Sequence, residues 1–316
     1  MKAIHPDYIK ISPEVSAALA QKRGLVALES TVVTHGLPYP DNIQTMIMLE
    51  DTVRTSGAVP ATIIVVDGVV HIGIDELLRE KIIQRFEQKA AFDKYAIRDL
   101  GMAIARRQSG GTTVSATMLC AHQSGIKVFA TGGIGGVHRL WNLHLDVSLD
   151  LKALATIPVI VVSAGCKAIL DIEATVEVLE SFGVPVLGWQ TDDFPAFYSR
   201  SSGVRIPRAD SCAEIVQADI INTDMARNCS LSPSGILVGN PIPEGEEIKQ
   251  EEIEPVIQDA LKSAYQNGIK GKDITPYLLS YLARHTDGRS VTANLALLKN
   301  NAELAAKLAN EYCANT

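Results

Sequence analysis

The residue with the most chemical promise in this chain is Lys167, at the end of Ala164-Gly165-Cys166-Lys167, directly after the most apolar run, Pro158 to Val162. An ammonium held there is poorly solvated, which makes a neutral amine available for attack on a sugar carbon. The position equally suits a lysine that snorkels to water from a helix start. Cys166 beside it reads as a small core residue. Glu29, in Ala27-Leu28-Glu29-Ser30-Thr31, closes a second apolar run. Low polarity there would raise its pKa and let it carry a proton near neutral pH. The alternative is a glutamate that caps the backbone of the next turn.

Three further segments hold polar groups in patterns that suit a ligand. Gly110-Gly111-Thr112-Thr113-Val114-Ser115-Ala116-Thr117 is a glycine pair ahead of a helix start, where backbone N–H groups and the helix dipole can face a phosphate. It lacks the Gly-Lys-Ser/Thr ending of a P-loop, and it fits a loop-to-helix junction capped by Thr as well. Thr131 to Arg139 places four glycines in five residues after a strand. Such a run is either a structural turn or a backbone that needs unusual dihedrals or close approach to a ligand. His138 stands where the last glycine of a dinucleotide fingerprint would be, which argues against a nicotinamide cofactor. Asp146-Val147-Ser148-Leu149-Asp150, following His144, gathers oxygen ligands that suit a hard ion such as magnesium or manganese. A helix starting at Ser148 or Asp150 accounts for the same residues.

The elements that must carry these segments alternate. Strands are expected at Leu25 to Leu28, Thr62 to Val66, Val128 to Thr131, Val159 to Ser163, Val184 to Gly188 and Ile236 to Gly239. Helical spacing marks Asn42 to Ser56, Asp75 to Lys89, Thr113 to Ser124, Ile169 to Phe182 and Ser211 to Arg227. This is an α/β fold with a central, mainly parallel sheet. In such folds ligands lie beyond the carboxyl ends of strands. Glu29, Thr131 to His138, Gly165 to Lys167 and Asn240 to Pro243 all follow expected strands. Asp67-Gly68 reads as a tight hairpin turn, which adds some antiparallel pairing. From Glu246 onward the pattern is helical only, with breaks at Gly268 to Gly271 and at Asp287-Gly288, so a C-terminal helical layer should pack on the sheet. No linker or low-complexity tract divides the chain, and residues 1–316 are expected to form a single domain.

Composition excludes several classes. Of 316 residues, 29 are Lys or Arg and 36 Asp or Glu, a formal charge of −7 with no basic run, so nucleic acid is not an expected partner. Hydrophobic residues make up 47% and aromatics only 5%, so the core must be Val, Ile, Leu and Ala. No apolar stretch approaches the roughly 20 residues of a membrane-spanning helix, and no targeting signal is evident at the N-terminus. A soluble, cytoplasmic protein is expected. The five cysteines are scattered and never in C-x-x-C, which fits reduced thiols better than a disulfide framework or a zinc site.

The segments ISPEVSAAL, VALESTVVTHGLPYP, GAVPATI, GGTTVSAT, KVFATGGIGGVHR, AGCKAILD, NPIPE, TPYLL and ANLALLKNNA follow one another over nearly the whole chain. In them the sequence resembles the pseudouridine-5′-phosphate glycosidase family. The resemblance implies reversible cleavage of the C–C glycosidic bond of pseudouridine 5′-phosphate to uracil and ribose 5-phosphate. It implies a divalent metal, usually manganese, and a homotrimer with helices on both faces of the sheet (α/β/α). Carried over by motif, Lys167 is the covalent nucleophile, Glu29 the proton donor and Asp146 the metal-linked carboxylate. Lys94, Val114 (through its backbone), Ser148, Leu149 and Asp150 fall at substrate-binding positions. Thr131, His138 and Asn294 occupy further positions that line the family's site. Because the substrate must first be phosphorylated, a functional link to a pseudouridine kinase follows.

Three departures accompany the match. Leu149 stands where a small residue is usual. Cys166 and Ala168 flank Lys167 where Ala and Ser are usual, so a hydroxyl that could orient the lysine is missing. Around Lys94 the pattern is kept only loosely, with Asp93 and Tyr95 outside it. Two other functions use the same residues differently. A Schiff-base lyase or aldolase acting on another phosphosugar would share the lysine but need a different base pocket. A phosphosugar or nucleotide sensor would keep the fold without turnover, and the presence of Glu29, Asp146 and Lys167 together argues against it.

Overall fold

The computed structural model describes residues 7–139, 141, 145–269 and 274–315, with the backbone alone at 275 and 276. His144, residues 270 and 271 of the expected helical break, and the first two side chains of TPYLL lie outside the described residues.

The strands are β1 (Ile9–Ile11), β2 (Leu25–Glu29), β3 (Val59–Val66), β4 (Val69–Ile72), β5 (Asp93–Tyr95), β6 (Gly110–Thr112), β7 (Val128–Ala130), β8 (Val137–His138), β9 (Ile160–Ser163), β10 (Leu170–Asp171), β11 (Val186–Trp189), β12 (Arg208–Ala209) and β13 (Ile236–Gly239). An 11-stranded sheet runs in the order β1-β4-β3-β2-β7-β9-β13-β11-β12, with β5 and β6 attached at β3. From β3 to β12 every neighbouring pair on that path is parallel. Both β4 and β6 run antiparallel to β3, and β8 pairs with β10 in a separate antiparallel ribbon.

Burial on both faces explains why the central strands read as unbroken apolar runs: β2, β3, β9 and β13 are buried at every position. Their alternate side chains feed two cores. Leu25, Ala27, Phe129, Val161 and Leu237 face the helices Pro13–Ala20, Val114–Gln123 and Leu149–Thr156. Val26, Leu28, Val128, Val162 and Val238 face Asp41–Thr55, Cys212–Asn228 and the long C-terminal helix Arg289–Ala314. The mainly parallel α/β/α arrangement expected from the sequence is the one observed.

Two boundaries move by three residues, for local reasons. Strand β3 starts at Val59 rather than Thr62, with Pro60 inside it. Pairing with β4 begins only at Ile63, so on that side no partner strand waits for the N–H that proline lacks. The helix expected from Ile169 starts at Ile172, because Leu170 and Asp171 pair with β8 and the Asp171 carboxylate then accepts the Ala174 N–H at 3.0 Å. Asp67 and Gly68, at φ 50° and 78°, form the hairpin that joins β3 to β4.

Candidate active site

Glu29 ends β2, Thr131 follows β7 and Lys167 lies just past β9, three adjacent parallel strands. Hydrogen bonding continues beyond the strand ends. Thr131 N donates to Val162 O at 3.0 Å, Ala164 N to Gly132 O at 2.9 Å, Ile134 N to Gly165 O at 3.1 Å and Lys167 N to Ile134 O at 3.0 Å. This zipper fixes the lysine loop against the glycine run, and Thr131 Oγ1 donates in turn to the Glu29 carboxylate. Burial pushes the Glu29 carboxyl above its ordinary value; Lys167, Thr131 and Lys94 pull it back, and the Asp150 charge adds to the rise. Gly165 makes the turn before the lysine at φ 87°, and a Cβ there would lie 2.0 Å from Pro195 O, so only glycine fits.

Glu29 and Lys167 border a cavity of about 750 Å³, mouth included. Four of the expected site residues line it: Glu29, Lys94, Lys167 and Asn294. Lys94 arrives on β5, in register with Gly111 of β6, and Asn294 on the helix Arg289–Ala314. His35, Phe197, Leu282 and Leu298 also line the cavity and were not singled out from the sequence. His35 lies within a segment that carries the family resemblance, which was the one available signal. Phe197, at φ 65°, reaches the cavity through its N–H bond to Ala164 O at 2.9 Å, a tertiary placement with no periodic trace.

Val114, Thr131, His138, Asp146, Ser148, Leu149 and Asp150, the remaining expected site residues, are not among those that line it. His138 Nδ1 is 3.8 Å from Asp146 Oδ2. Burial holds the imidazole below its ordinary value against the pull of Asp146, and the charges of Lys167 and Lys94 add to the lowering. Ser148 caps the helix Leu149–Thr156, with half-buried Leu149 at its first position. Val114 is 1% exposed with its side chain in the core, so only its backbone can meet a ligand.

Both glycine-rich segments are held by close packing. Gly110 and Gly111 belong to β6, not to a phosphate loop. A Cβ at Gly110 would come within 2.4 Å of Asp93 O, and one at Gly111 within 2.2 Å of Thr34 Oγ1. The start of the helix Val114–Gln123 already faces an internal anion: the Asp150 carboxylate accepts the N–H groups of Ser115 and Gly135, each at 2.9 Å. In the second run, Gly132, Gly133, Gly135 and Gly136 all avoid the left-handed region. Three of them are crowded by side chains: Phe197 at 2.7 Å from a Cβ on Gly133, Ser148 Oγ at 2.3 Å from one on Gly135, Thr175 Oγ1 at 2.4 Å from one on Gly136. Gly132 and Gly133 also line the cavity.

Among the described residues no three His, Cys, Asp or Glu side chains converge as a metal cage. Asp146 with His138 offers one carboxylate and one imidazole. That donor set fits a hard divalent ion that keeps most of its shell as water, and not a closed structural site. Cys166 is fully buried, with its thiol pushed up to about 12 by burial, and acts as packing behind Lys167.

The family model described as indigoidine synthase A like protein matches residues 14–311. The chain is 44% identical over 307 residues to the pseudouridine-5′-phosphate glycosidase of Glaesserella parasuis serovar 5, covering 97% of this chain and 99% of that one. It is 48% identical over 305 residues to the protein of the same name from Paracoccus denitrificans, covering 96% and 98%. Among solved structures, the prealnumycin C-glycosynthase AlnA in complex with ribulose 5-phosphate superposes with a TM-score of 0.87 at 35% identity, over 98% of each chain.

Proposed function

The chain belongs to the indigoidine synthase A-like family, and from that premise we propose that it is a pseudouridine-5′-phosphate glycosidase, splitting its substrate reversibly into uracil and ribose 5-phosphate. The observation that carries the reading is the meeting of a raised-pKa carboxyl, Glu29, with an amine, Lys167, in one cavity that also holds the cation Lys94.

A base joined through carbon cannot leave as an N-linked base does, so simple attack by water is inadequate. Glu29, whose carboxyl burial holds above its ordinary value, delivers a proton to the ribose ring oxygen as the ring opens. The Lys167 nitrogen forms the new bond at the anomeric carbon as the ring C–O bond breaks, and gives up a proton to the Glu29 carboxylate. The nitrogen lone pair then closes to an iminium while the C–C electron pair stays with uracil, whose carbon takes up a proton. Water adds to the iminium, releasing ribose 5-phosphate and regenerating the amine. Thr131 holds the Glu29 carboxyl in position throughout. Lys94 meets the 5′-phosphate, which the start of the helix Val114–Gln123, already occupied by Asp150, is not free to do. Phe197, Leu282 and Leu298 form an apolar wall suited to a flat base and to keeping water from the iminium until uracil departs.

Asp146 and His138 are the residues to hold a divalent metal such as manganese, which when bound would supply Lewis acidity toward substrate oxygens. Backbone at Val114 and the turn Ser148 to Asp150 complete the substrate contacts, with Asn294 facing them from the C-terminal helix. A cytoplasmic homotrimer of single-domain chains, fed by a pseudouridine kinase, belongs to the same proposal. Incubating the protein with manganese and pseudouridine 5′-phosphate tests it. Uracil release supports the glycosidase; cleavage of a different phosphosugar without uracil release would favour a Schiff-base lyase, and binding without turnover a sensor.

A further inference from the structure

At the opposite end of the sheet, where β2 and β7 begin, a second cavity of about 1260 Å³, mouth included, opens beside Leu25 and Val128. Lys22, Arg23, Lys127 and Arg227 line it, against a single lining carboxylate, Asp224, among the described residues. The chain as a whole carries −7, so four cations at one mouth are a concentration against the average. None of the four is ion-paired among the described residues.

The wall of this cavity also holds unmet hydrogen-bonding capacity. Thr223, on the helix Cys212–Asn228, lines it at 6% exposure, and its Oγ1 has no hydrogen-bond partner among the described residues. One turn earlier and outside the lining residues, Asp219 is 2% exposed, with Oδ1 lacking a partner among the described residues and Oδ2 accepting from Tyr312 at 3.0 Å. Tyr312 lines the cavity and lies 5.9 Å, ring centroid to Nζ, from Lys127. Buried hydroxyls are rarely left unbonded, and one that faces a cationic cavity is a donor awaiting an acceptor.

We propose that this cavity binds a small phosphorylated molecule, the four cations meeting its phosphate and the Thr223 hydroxyl donating to a phosphate oxygen. The site is separate from the catalytic cavity but shares an element with it. Tyr312 lies near the end of the helix Arg289–Ala314, whose Asn294 and Leu298 face Lys167.

Calorimetric titration of the protein with pyrophosphate and with AMP tests the site, with binding as the readout and no catalysis required. Thr223→Val should weaken pyrophosphate binding about tenfold and raise the melting temperature of the free protein, since an unmet hydroxyl is removed. The double variant Arg23→Glu/Arg227→Glu, at two exposed positions, should abolish binding. Tighter binding of AMP identifies a nucleotide ligand, tighter binding of pyrophosphate a bare phosphate chain. Absence of binding to the unaltered protein, or equal binding in all three proteins, overturns the proposal, as does a Thr223→Val protein that melts lower with unchanged affinity.

Discussion

Glu29 carries opposite consequences for stability and for chemistry. Burial raises its carboxyl above the ordinary 4.5, so between 4.5 and the raised value the folded state holds a proton that the unfolded chain has lost. Stability contributed by this group is therefore full below that window and declines as pH rises through it. Glu29→Gln cannot ionise and still accepts from Thr131, so at pH 8 it should melt no lower than the unaltered protein. Without a proton to give, its kcat should fall roughly 100-fold or more. Melting curves and steady-state rates on the same preparation check both; a large loss of melting temperature would make Glu29 a structural cap instead. Lys94 acts on binding. Lys94→Ala should raise KM for pseudouridine 5′-phosphate by about tenfold or more with a smaller change in kcat, and should narrow the preference over unphosphorylated pseudouridine. Equal handling of nucleotide and nucleoside by the unaltered enzyme would remove the phosphate role.

At the scale of elements, the lysine loop depends on a glycine that no side chain can replace. Gly165→Ala would place a Cβ into Pro195 O and force a left-handed residue, a cost of roughly 3 kcal/mol or more. Denaturant unfolding should show this loss, and kcat should fall with it because the zipper that seats Lys167 starts at this turn. The central strands were legible because burial on both faces leaves a run of apolar residues, and Glu29 and Lys167 were legible because they follow such runs. Strands β5, β6, β8, β10 and β12 were not, since two or three residues are too few to show a period. The glycine run was read as a structural turn, or as backbone freedom or close approach to a ligand. Gly132 and Gly133 line the cavity, while Gly133, Gly135 and Gly136 also answer to the side chains of Phe197, Ser148 and Thr175, which only the folded chain brings near. The same limit hid the apolar wall: Leu282 and Leu298 are ordinary helix residues until the C-terminal layer closes over the strand ends.

Across the whole molecule, Arg139 ties the two halves of the site to the outer layer. Its guanidinium binds Glu254 on the helix Gln250–Gln266 and donates to Ala168 O at 3.3 Å and Leu170 O at 3.4 Å. The clamp thus joins the His138 strand, the Lys167 loop and the C-terminal helical layer. Arg139→Ala should cost about 2 kcal/mol, since it strands two carbonyls and a part-buried carboxylate. The melting temperature should fall by a few degrees, and kcat should fall further than that loss of folded protein explains. An unchanged kcat at full folding would mean that the lysine loop holds its shape without the outer layer.

The covalent role of Lys167 is the centre of this account, and reductive trapping tests it most directly. Borohydride added during turnover of pseudouridine 5′-phosphate should reduce the iminium and fix one ribose 5-phosphate per chain, mapped by peptide mass to Lys167. Lys167→Ala should trap nothing and release no uracil while remaining folded, and Lys167→Arg should fail as well, because a guanidinium stays protonated. Sugar trapped on Lys94 instead, or near-normal uracil release by the alanine variant, would contradict the account.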